Sequence, residues 1–236
     1  MSSHSSSKSH AGAHRRSVAL FGGTFDPIHA GHIAVAQAAQ RRFHLDAIYF
    51  VPSARPPHKS KPALTPFIHR FSMVALACAG HAAFVPSLAE APVESSSSHI
   101  FYTIDTVRRF RREHPDDRLY FIVGADQFLE IPTWRQYESL LDACDFIIAS
   151  RPGFQLDALR LVIPPEKLGR ATGAAGSGSS DPHKIVLRKS EIHLLTTVSS
   201  HISSTEVRHR LAKHQSIHGL VPAPVEEYIL GQALYL

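Results

Sequence analysis

The sequence predicts an α/β fold in which helices cover both faces of a parallel sheet. Short apolar runs alternate with longer segments of helical periodicity, and this alternation is typical of such a sheet. Strands are predicted at residues 18–21, 47–51, 119–123, 146–149 and 185–187. Helices are predicted at residues 32–42, 66–79, 103–114, 136–142, 205–214 and 225–234.

The chain has 236 residues, a length that a single α/β domain commonly reaches. We assign residues 17–236 to a single α/β domain. A Ser- and His-rich tail precedes it at residues 1–16, and we expect this tail to be disordered. Residues 169–182 are rich in Gly, Ala and Ser and have almost no apolar side chains. Such a composition predicts a mobile surface insertion.

Composition and charge argue against several classes of protein. No apolar run is long enough to span a membrane, and residues 1–17 lack the apolar segment of a signal peptide. Cys78 and Cys144 lie in apolar stretches without paired spacing, so we expect reduced thiols and a cytoplasmic location. The formal net charge of +5 and the pI near 9.4 suit a polyanionic ligand, either nucleic acid or nucleotide phosphates.

A glycine-rich segment with two histidines follows the first predicted strand. Residues 22–32 read GGTFDPIHAGH, in which Gly22 and Gly23 let the backbone come close to a ligand because no Cβ stands in the way. A helix is predicted to begin at His32, and free amides at a helix start attract phosphate. His29 and His32 are three residues apart, so both imidazoles can donate to phosphate oxygens at one site. The segment predicts a phosphate site at the carboxyl edge of the sheet.

A second candidate phosphate site lies near the carboxyl end of the chain, where residues 202–208 read ISSTEVR. Three hydroxyl residues, Ser203, Ser204 and Thr205, precede a helical pattern, so we expect them at a helix amino terminus with Arg208 about one turn inside. Amides, hydroxyls and a guanidinium that converge in this way form a cradle for polyphosphate. Taken alone, the segment also fits an ordinary N-cap followed by a surface arginine.

Residues 22–32 resemble the GGTFDPxHxGH signature of the nicotinate-nucleotide adenylyltransferases, a family of the nucleotidyltransferase superfamily with its H-x-G-H element. Residues 202–208 resemble the ISSTxxR element of the same family. Smaller elements follow in the family's order: PPHK at residues 56–59, YTIDT at 102–106, a GxD turn at 124–126, TW at 133–134 and RPG at 151–153. The resemblance runs from about Val18 to Leu236 and implies a Rossmann-like fold. It departs from the family in three places: at Phe101, where serine is usual, at the serine run of residues 95–98, and at residues 169–182, which are longer than a typical connection.

The resemblance implies a role for each matched residue. The catalytic residues would be His29, His32 and Arg208. ATP would be bound by Gly22, Gly23, Thr24, Phe25, His29, His32, Lys59, Gly124, Asp126, Ser203, Ser204, Thr205 and Arg208. Nicotinate mononucleotide would be bound by Tyr102, Thr103, Trp134 and Arg151, with the indole stacked on the pyridine ring. Mg²⁺ would bind mainly through the ATP phosphates, so no protein ligand to a metal is predicted.

The implied reaction transfers AMP from ATP to nicotinate mononucleotide and releases pyrophosphate. The acceptor phosphate is already ionised at neutral pH, so the chemistry needs alignment and charge stabilisation rather than a side-chain nucleophile. Two alternatives stay open: another adenylyl- or cytidylyltransferase, such as a pantetheine-phosphate adenylyltransferase, and a nucleotide-sensing module without catalysis. We expect neither a nucleic acid nor a membrane as a partner, and the sequence leaves a homo-oligomer open.

Overall fold

The computed structural model describes residues 15–54, 64–92, 100–151, 153–169, 181, 183–196 and 202–236. Most of the predicted tail, the PPHK segment with Lys59, and most of the predicted insertion therefore lie outside the described residues. Within the described part of the chain, no helix is long and apolar enough to cross a membrane.

Seven strands of the described residues form one sheet. They are β1 (Ser17–Gly23), β2 (Ala47–Pro52), β3 (Phe84–Pro86), β4 (Arg118–Gly124), β5 (Asp145–Ala149), β6 (Lys184–Val186) and β7 (Glu191–Leu195). Their order across the sheet is β3–β2–β1–β4–β5–β7–β6. From β1 the strands are added on one side as far as β3, and β4 then follows on the other side of β1, so the strand order switches between β1 and β4. Open α/β sheets bind ligands at such a switch point, beyond the carboxyl ends of the strands.

The Rossmann-like α/β prediction is confirmed, with one correction to the sheet. All neighbouring strands pair in parallel except β6, which runs antiparallel to β7 at the edge. The predicted strand at residues 185–187 is this edge strand. An apolar run does not reveal strand direction, so its sequence could not show the reversal.

Eight α-helices are described. They are α1 (Ala30–Phe43), α2 (Phe67–Cys78), α3 (Thr103–Glu113), α4 (Ala125–Leu129), α5 (Tyr137–Ala143), α6 (Leu156–Arg160), α7 (Ser204–Leu211) and α8 (Ala223–Gly231). Five predicted starts need correction. The helices α1 and α8 each begin two residues earlier than predicted, α7 begins one residue earlier, and α2 and α5 each begin one residue later.

Helices cover both faces of the sheet, and the alternation of side chains along β1 shows this directly. Ala19 and Phe21 join one buried cluster, to which α1, α2, α7 and α8 contribute. Val18 and Leu20 join the other, to which α3, α4, α5 and α6 contribute. Successive side chains of a strand point to opposite faces, so a strand buried on both sides reads as a continuous apolar run.

Candidate active site

The two glycines of the first motif are the last residues of β1. The sequence analysis had ended this strand at residue 21 and placed both glycines after it. Gly22 pairs with Val51 of β2, and Gly23 with Pro52. A Cβ on Gly22 would lie 3.2 Å from the Phe121 ring, and one on Gly23 would lie 3.0 Å from the Phe25 ring. Both rings are buried, so a side chain at either glycine would have to displace a core aromatic residue.

Phe25 supports the site from beneath. The residue is 2% exposed, so the ring is enclosed in the core and faces no ligand. The ring packs edge-on against His32 at a centroid distance of 5.1 Å and against Phe21 at 5.7 Å. Its φ of 48° lies in the left-handed region, which is uncommon for a bulky residue and sharpens the turn after β1.

The histidine pair occupies the first turn of α1. His29 is the N-cap and His32 the third helical residue, and their rings stack at a centroid distance of 3.7 Å. The His29 backbone N–H donates to Nδ1 of His32 over 3.2 Å. Because Nδ1 accepts this bond, the ring proton of neutral His32 is on Nε2, which is left as a donor for a ligand.

Both imidazoles are held neutral. Burial lowers the pKa of His29 from 6.5 to about 4. Burial, and after it the neighbouring His29, holds the pKa of His32 well below its ordinary value. The sequence allowed either protonation state, and the structure favours the neutral one because a buried imidazolium has lost its hydration.

The start of α1 offers fewer free amides than the sequence predicted. The Ala30 N–H donates to the Leu220 carbonyl over 2.8 Å, and the His32 N–H donates to the His29 carbonyl over 2.9 Å. These two donors are therefore used within the protein. The phosphate-binding capacity of this turn shifts from its backbone to its imidazoles.

The second motif packs directly against the first. Ser203 is the N-cap of α7 and accepts a bond from the Glu206 N–H over 3.1 Å, as the N-cap interpretation required. Ser204 uses its hydroxyl to donate to the Pro27 carbonyl over 2.9 Å. The amino end of α7 thus abuts the β1–α1 loop, defined here as residues 24–29.

Arg208 connects α7 to the same loop. Its Nη1 donates to the backbone carbonyl of Asp26 over 2.6 Å, and its Nη2 donates to Oγ1 of Thr205 over 3.3 Å. A guanidinium has five N–H groups, so these two bonds orient it and leave the others for an anion. The structure brings Arg208 and the histidine pair to one site across 176 or more positions of sequence.

The GxD element lies at the carboxyl end of β4, the strand next to β1. Gly124 ends the strand and is the N-cap of α4, and Asp126 is exposed in the first turn of that helix. Its carboxylate therefore lies at the switch-point edge of the sheet, where a ribose or base can reach it.

Two of the predicted acceptor residues, Tyr102 and Trp134, pack on the opposite face of the sheet from α1 and α7. Trp134 packs edge-on against Phe121 at 6.3 Å, and Phe121 is the ring that faces Gly22. Tyr102 is the N-cap of α3, which Thr103 begins. The sequence missed a neighbour of this group: the Arg135 guanidinium lies 4.5 Å above the Tyr102 ring.

Arg151 is placed apart from these residues. It is exposed beyond the end of β5, two strands from β1. Its predicted contact with the acceptor therefore stays a prediction.

Arg70 is a buried cation that the sequence analysis also missed. Its side chain is 1% exposed, and it donates to the carbonyls of Thr24, Ser53 and Thr65 over 2.8–2.9 Å. Burial lowers the pKa of Arg70, while nearby Asp26 raises it. A lone arginine within the apolar helix FIHRFSMVALAC was the signal, because such a charge is retained only with partners.

The arrangement suits polyphosphate binding. Neutral imidazole donors, a partly free guanidinium and hydroxyl groups converge on one edge of the sheet. Among the residues that the structure describes, no group of three or more His, Cys, Asp or Glu side chains is placed to hold a metal ion. Both cysteines are buried, and burial raises the pKa of the Cys78 thiol to about 12, so it is not a nucleophile at neutral pH.

Comparison with known proteins agrees with this geometry. The family model described as cytidylyltransferase-like matches residues 20–210, a range that contains both motifs. In fold, the chain is similar to the Plasmodium falciparum nicotinic acid mononucleotide adenylyltransferase complexed with NaAD, with a TM-score of 0.69 and 22% identity. That likeness covers 94% of this chain and 98% of the other.

Curated relatives give a closer match in sequence. A probable nicotinate-nucleotide adenylyltransferase of Moorella thermoacetica is 42% identical over 219 residues, covering 92% of this chain and 91% of the relative. One of Pelobacter propionicus is 38% identical over 218 residues, covering 92% of this chain and 97% of the relative. The chain therefore belongs to the cytidylyltransferase-like family and, within it, to the nicotinate-nucleotide adenylyltransferases.

Proposed function

We propose that this protein transfers AMP from ATP to nicotinate mononucleotide, giving nicotinate adenine dinucleotide and pyrophosphate. The observation that carries the proposal is the contact between the two motifs, in which Arg208 donates to the Asp26 carbonyl beside the His29–His32 pair. A donor set of this kind, at a switch point, fits a nucleotide triphosphate. Family membership supplies the acceptor.

The chemistry requires alignment of an anionic acceptor with the α-phosphorus of ATP. Attack builds negative charge on the α-phosphoryl oxygens and on the departing pyrophosphate. We assign the Nε2–H of His32 to the α-phosphoryl oxygens, since the bond to Nδ1 fixes that proton on Nε2. Arg208 retains N–H groups for the β- and γ-phosphates, where charge accumulates on the leaving group.

Mg²⁺ suits this site as an ion that arrives with ATP. Magnesium keeps most of its waters and binds nucleotides through phosphate oxygens with few protein ligands. When bound, it neutralises phosphate charge that the neutral histidines do not. The nearest buried carboxylate, Asp26, already accepts the Tyr235 hydroxyl over 2.6 Å, so we expect it to contribute no ligand.

For the acceptor, we assign the pyridine ring to the space beside Trp134 and the amino end of α3. Helix amino termini carry partial positive charge, and the Arg135 guanidinium adds a full charge above Tyr102. Both favour an acceptor with a carboxylate. A cytoplasmic location stays a prediction, and the oligomeric state stays open.

The first test is an acceptor and donor panel. We expect Mg²⁺-dependent pyrophosphate release with ATP and nicotinate mononucleotide, and little release when CTP replaces ATP or phosphopantetheine replaces the acceptor. Product identity is checked by chromatography. A folded preparation that turns over phosphopantetheine and not a pyridine nucleotide contradicts the assignment.

The second test separates the roles of the two motifs. His32→Ala should lower kcat by about a hundredfold or more, because it removes a donor whose bond strengthens as charge develops. Arg208→Ala should mainly raise KM for ATP, because it removes a ground-state phosphate contact. Steady-state kinetics with both substrates varied measure the two effects.

Matched controls for this test lie on the same helices. His44 is exposed at the carboxyl end of α1, and Arg210 pairs with Glu206 on α7. His44→Ala and Arg210→Ala should leave the kinetics near those of the unmodified protein. Near-full kcat in His32→Ala would show that the imidazole has no part in the reaction.

The third test uses pH. The pKa of His29 is lowered to about 4, so the unfolded chain binds more protons than the folded one between about pH 6.5 and 4. The free energy of unfolding should therefore fall as the pH falls through this window, while the imidazoles add no inflection to kcat/KM near 6.5 beyond that of the substrate phosphates, whose second pKa is about 6. Urea titrations and pH–rate profiles of the unmodified protein and of His32→Asn measure these quantities. A loss of kcat/KM as the pH rises through 6.5 that is absent in His32→Asn would mean that the active imidazole is protonated.

The fourth test concerns the nicotinate carboxylate. We expect kcat/KM for nicotinate mononucleotide to exceed that for the nicotinamide form by orders of magnitude, because an amide NH₂ faces donors that it cannot pair with. Arg135→Gln should narrow the preference by a few-fold, since an exposed charge contributes modestly. Arg112→Gln, exposed at the far end of α3, is the control. Equal values for both acceptors in the unmodified protein would refute this account.

A further inference from the structure

The carboxyl-terminal segment reaches back to the β1–α1 loop. After α8 the chain turns through two non-glycine residues in the left-handed region, Ala233 at a φ of 50° and Tyr235 at 67°. The turn delivers the Tyr235 hydroxyl to Oδ1 of Asp26 over 2.6 Å, across 209 positions of sequence. This bond ties the segment after α8 to the loop that precedes the histidine pair.

Asp26 is a buried carboxylate with cations on either side of it. The residue is 6% exposed, and its negative charge acts on Arg70. Arg208 also contacts Asp26, but its bond goes to the backbone oxygen of that residue. A buried carboxylate needs hydrogen-bond donors. The Tyr235 hydroxyl is a neutral one, since burial and then the bond to Asp26 raise its pKa.

Loss of that hydroxyl would leave the carboxylate to find another donor. Arg208, whose Nη1 is already 2.6 Å from the backbone oxygen of the same residue, is within reach. An ion pair between them would neutralise the cation that the ATP phosphates need, because a carboxylate competes with phosphate for the same guanidinium.

We propose that Tyr235 is a positioning residue for the phosphate site: its hydroxyl holds the Asp26 carboxylate so that the Arg208 guanidinium stays available to the triphosphate. The role deepens the proposed function, in that it concerns the ATP half of the same site. It assigns a part in substrate binding to the penultimate residue of the chain.

The chain offers a matched control for the test. Tyr228, on α8, also uses its hydroxyl to join the carboxyl-terminal segment to another element, at 2.9 Å from Nδ1 of His69 on α2. Among the residues that the structure describes, neither Tyr228 nor His69 forms a hydrogen bond with the β1–α1 loop. Tyr228→Phe and Tyr235→Phe each remove one partly buried hydroxyl, so they should lower the melting temperature by similar amounts.

The first measurement is the Kd of Mg²⁺-ATP by calorimetry without acceptor, together with KM for both substrates. Tyr235→Phe should weaken ATP binding about tenfold or more, the effect of losing one charge-assisted bond, and leave KM for the acceptor unchanged. Tyr228→Phe should leave both near the unmodified values. An ATP Kd in Tyr235→Phe within twofold of that in Tyr228→Phe would overturn the proposal.

A second variant distinguishes an ion pair between Asp26 and Arg208 from a general loss of stability as the cause of weaker ATP binding. In Asp26→Asn/Tyr235→Phe the freed side chain is neutral and cannot form an ion pair with Arg208. The double variant should therefore bind ATP more tightly than Tyr235→Phe. If both substitutions only loosened the site, their losses of binding free energy would add, and the double variant would bind ATP more weakly. If Tyr235→Phe proves too unstable to assay, the double variant is compared with Tyr228→Phe, and a tenfold loss of ATP affinity in it overturns the proposal.

The two proposals fail in different ways. If the unmodified protein binds ATP but does not adenylylate nicotinate mononucleotide, the proposed function is wrong, and the calorimetric comparison still decides the role of Tyr235. If turnover is as expected and Tyr235→Phe matches its control, only the positioning role is wrong.

Discussion

The candidate site depends on hydrogen bonds donated to the backbone of the β1–α1 loop. Arg70 from α2 donates to the Thr24 carbonyl, and Arg208 from α7 donates to the Asp26 carbonyl. These oxygens lie beyond the end of the sheet ladder, and a buried carbonyl without a donor is costly. A loop that meets its partners in this way has one favoured shape, and the histidine pair that follows it is held in place with it.

The candidate site combines neutral imidazoles with charged guanidiniums, and the two kinds of group suit different tasks. The imidazoles are neutral, and neutral donors bind ground-state phosphate weakly while gaining strength as charge develops on the oxygens. The guanidiniums carry the positive charge, and long-range attraction to a triphosphate comes from them. Asp26 is the one buried anion in this group, so its pairing with a tyrosine hydroxyl, rather than with an arginine, preserves that charge.

Local patterns predicted most of the fold and the positions of both motifs at helix starts, because strands and helices are encoded over a few adjacent residues. They missed β3, which has three residues, and β7, whose sequence EIHLL alternates too briefly to be distinguished from a loop. They also missed the contacts of Arg70 and Tyr235. Those contacts join positions 46 and 209 residues apart, and no local pattern marks which distant carbonyl or carboxylate a side chain will meet.

The sheet places the two groups of candidate site residues on opposite faces. The groups that donate to the β1–α1 loop come from α2 and α7, which pack on one face, and Tyr102 and Trp134 pack on the other. Among the described residues, the two groups approach each other at the boundary of β1 and β4, where Gly22 faces the Phe121 ring and that ring packs against Trp134. Under the roles proposed above, the triphosphate and the acceptor are therefore bound from opposite faces of one sheet, and substitutions around α3 act first on the acceptor side.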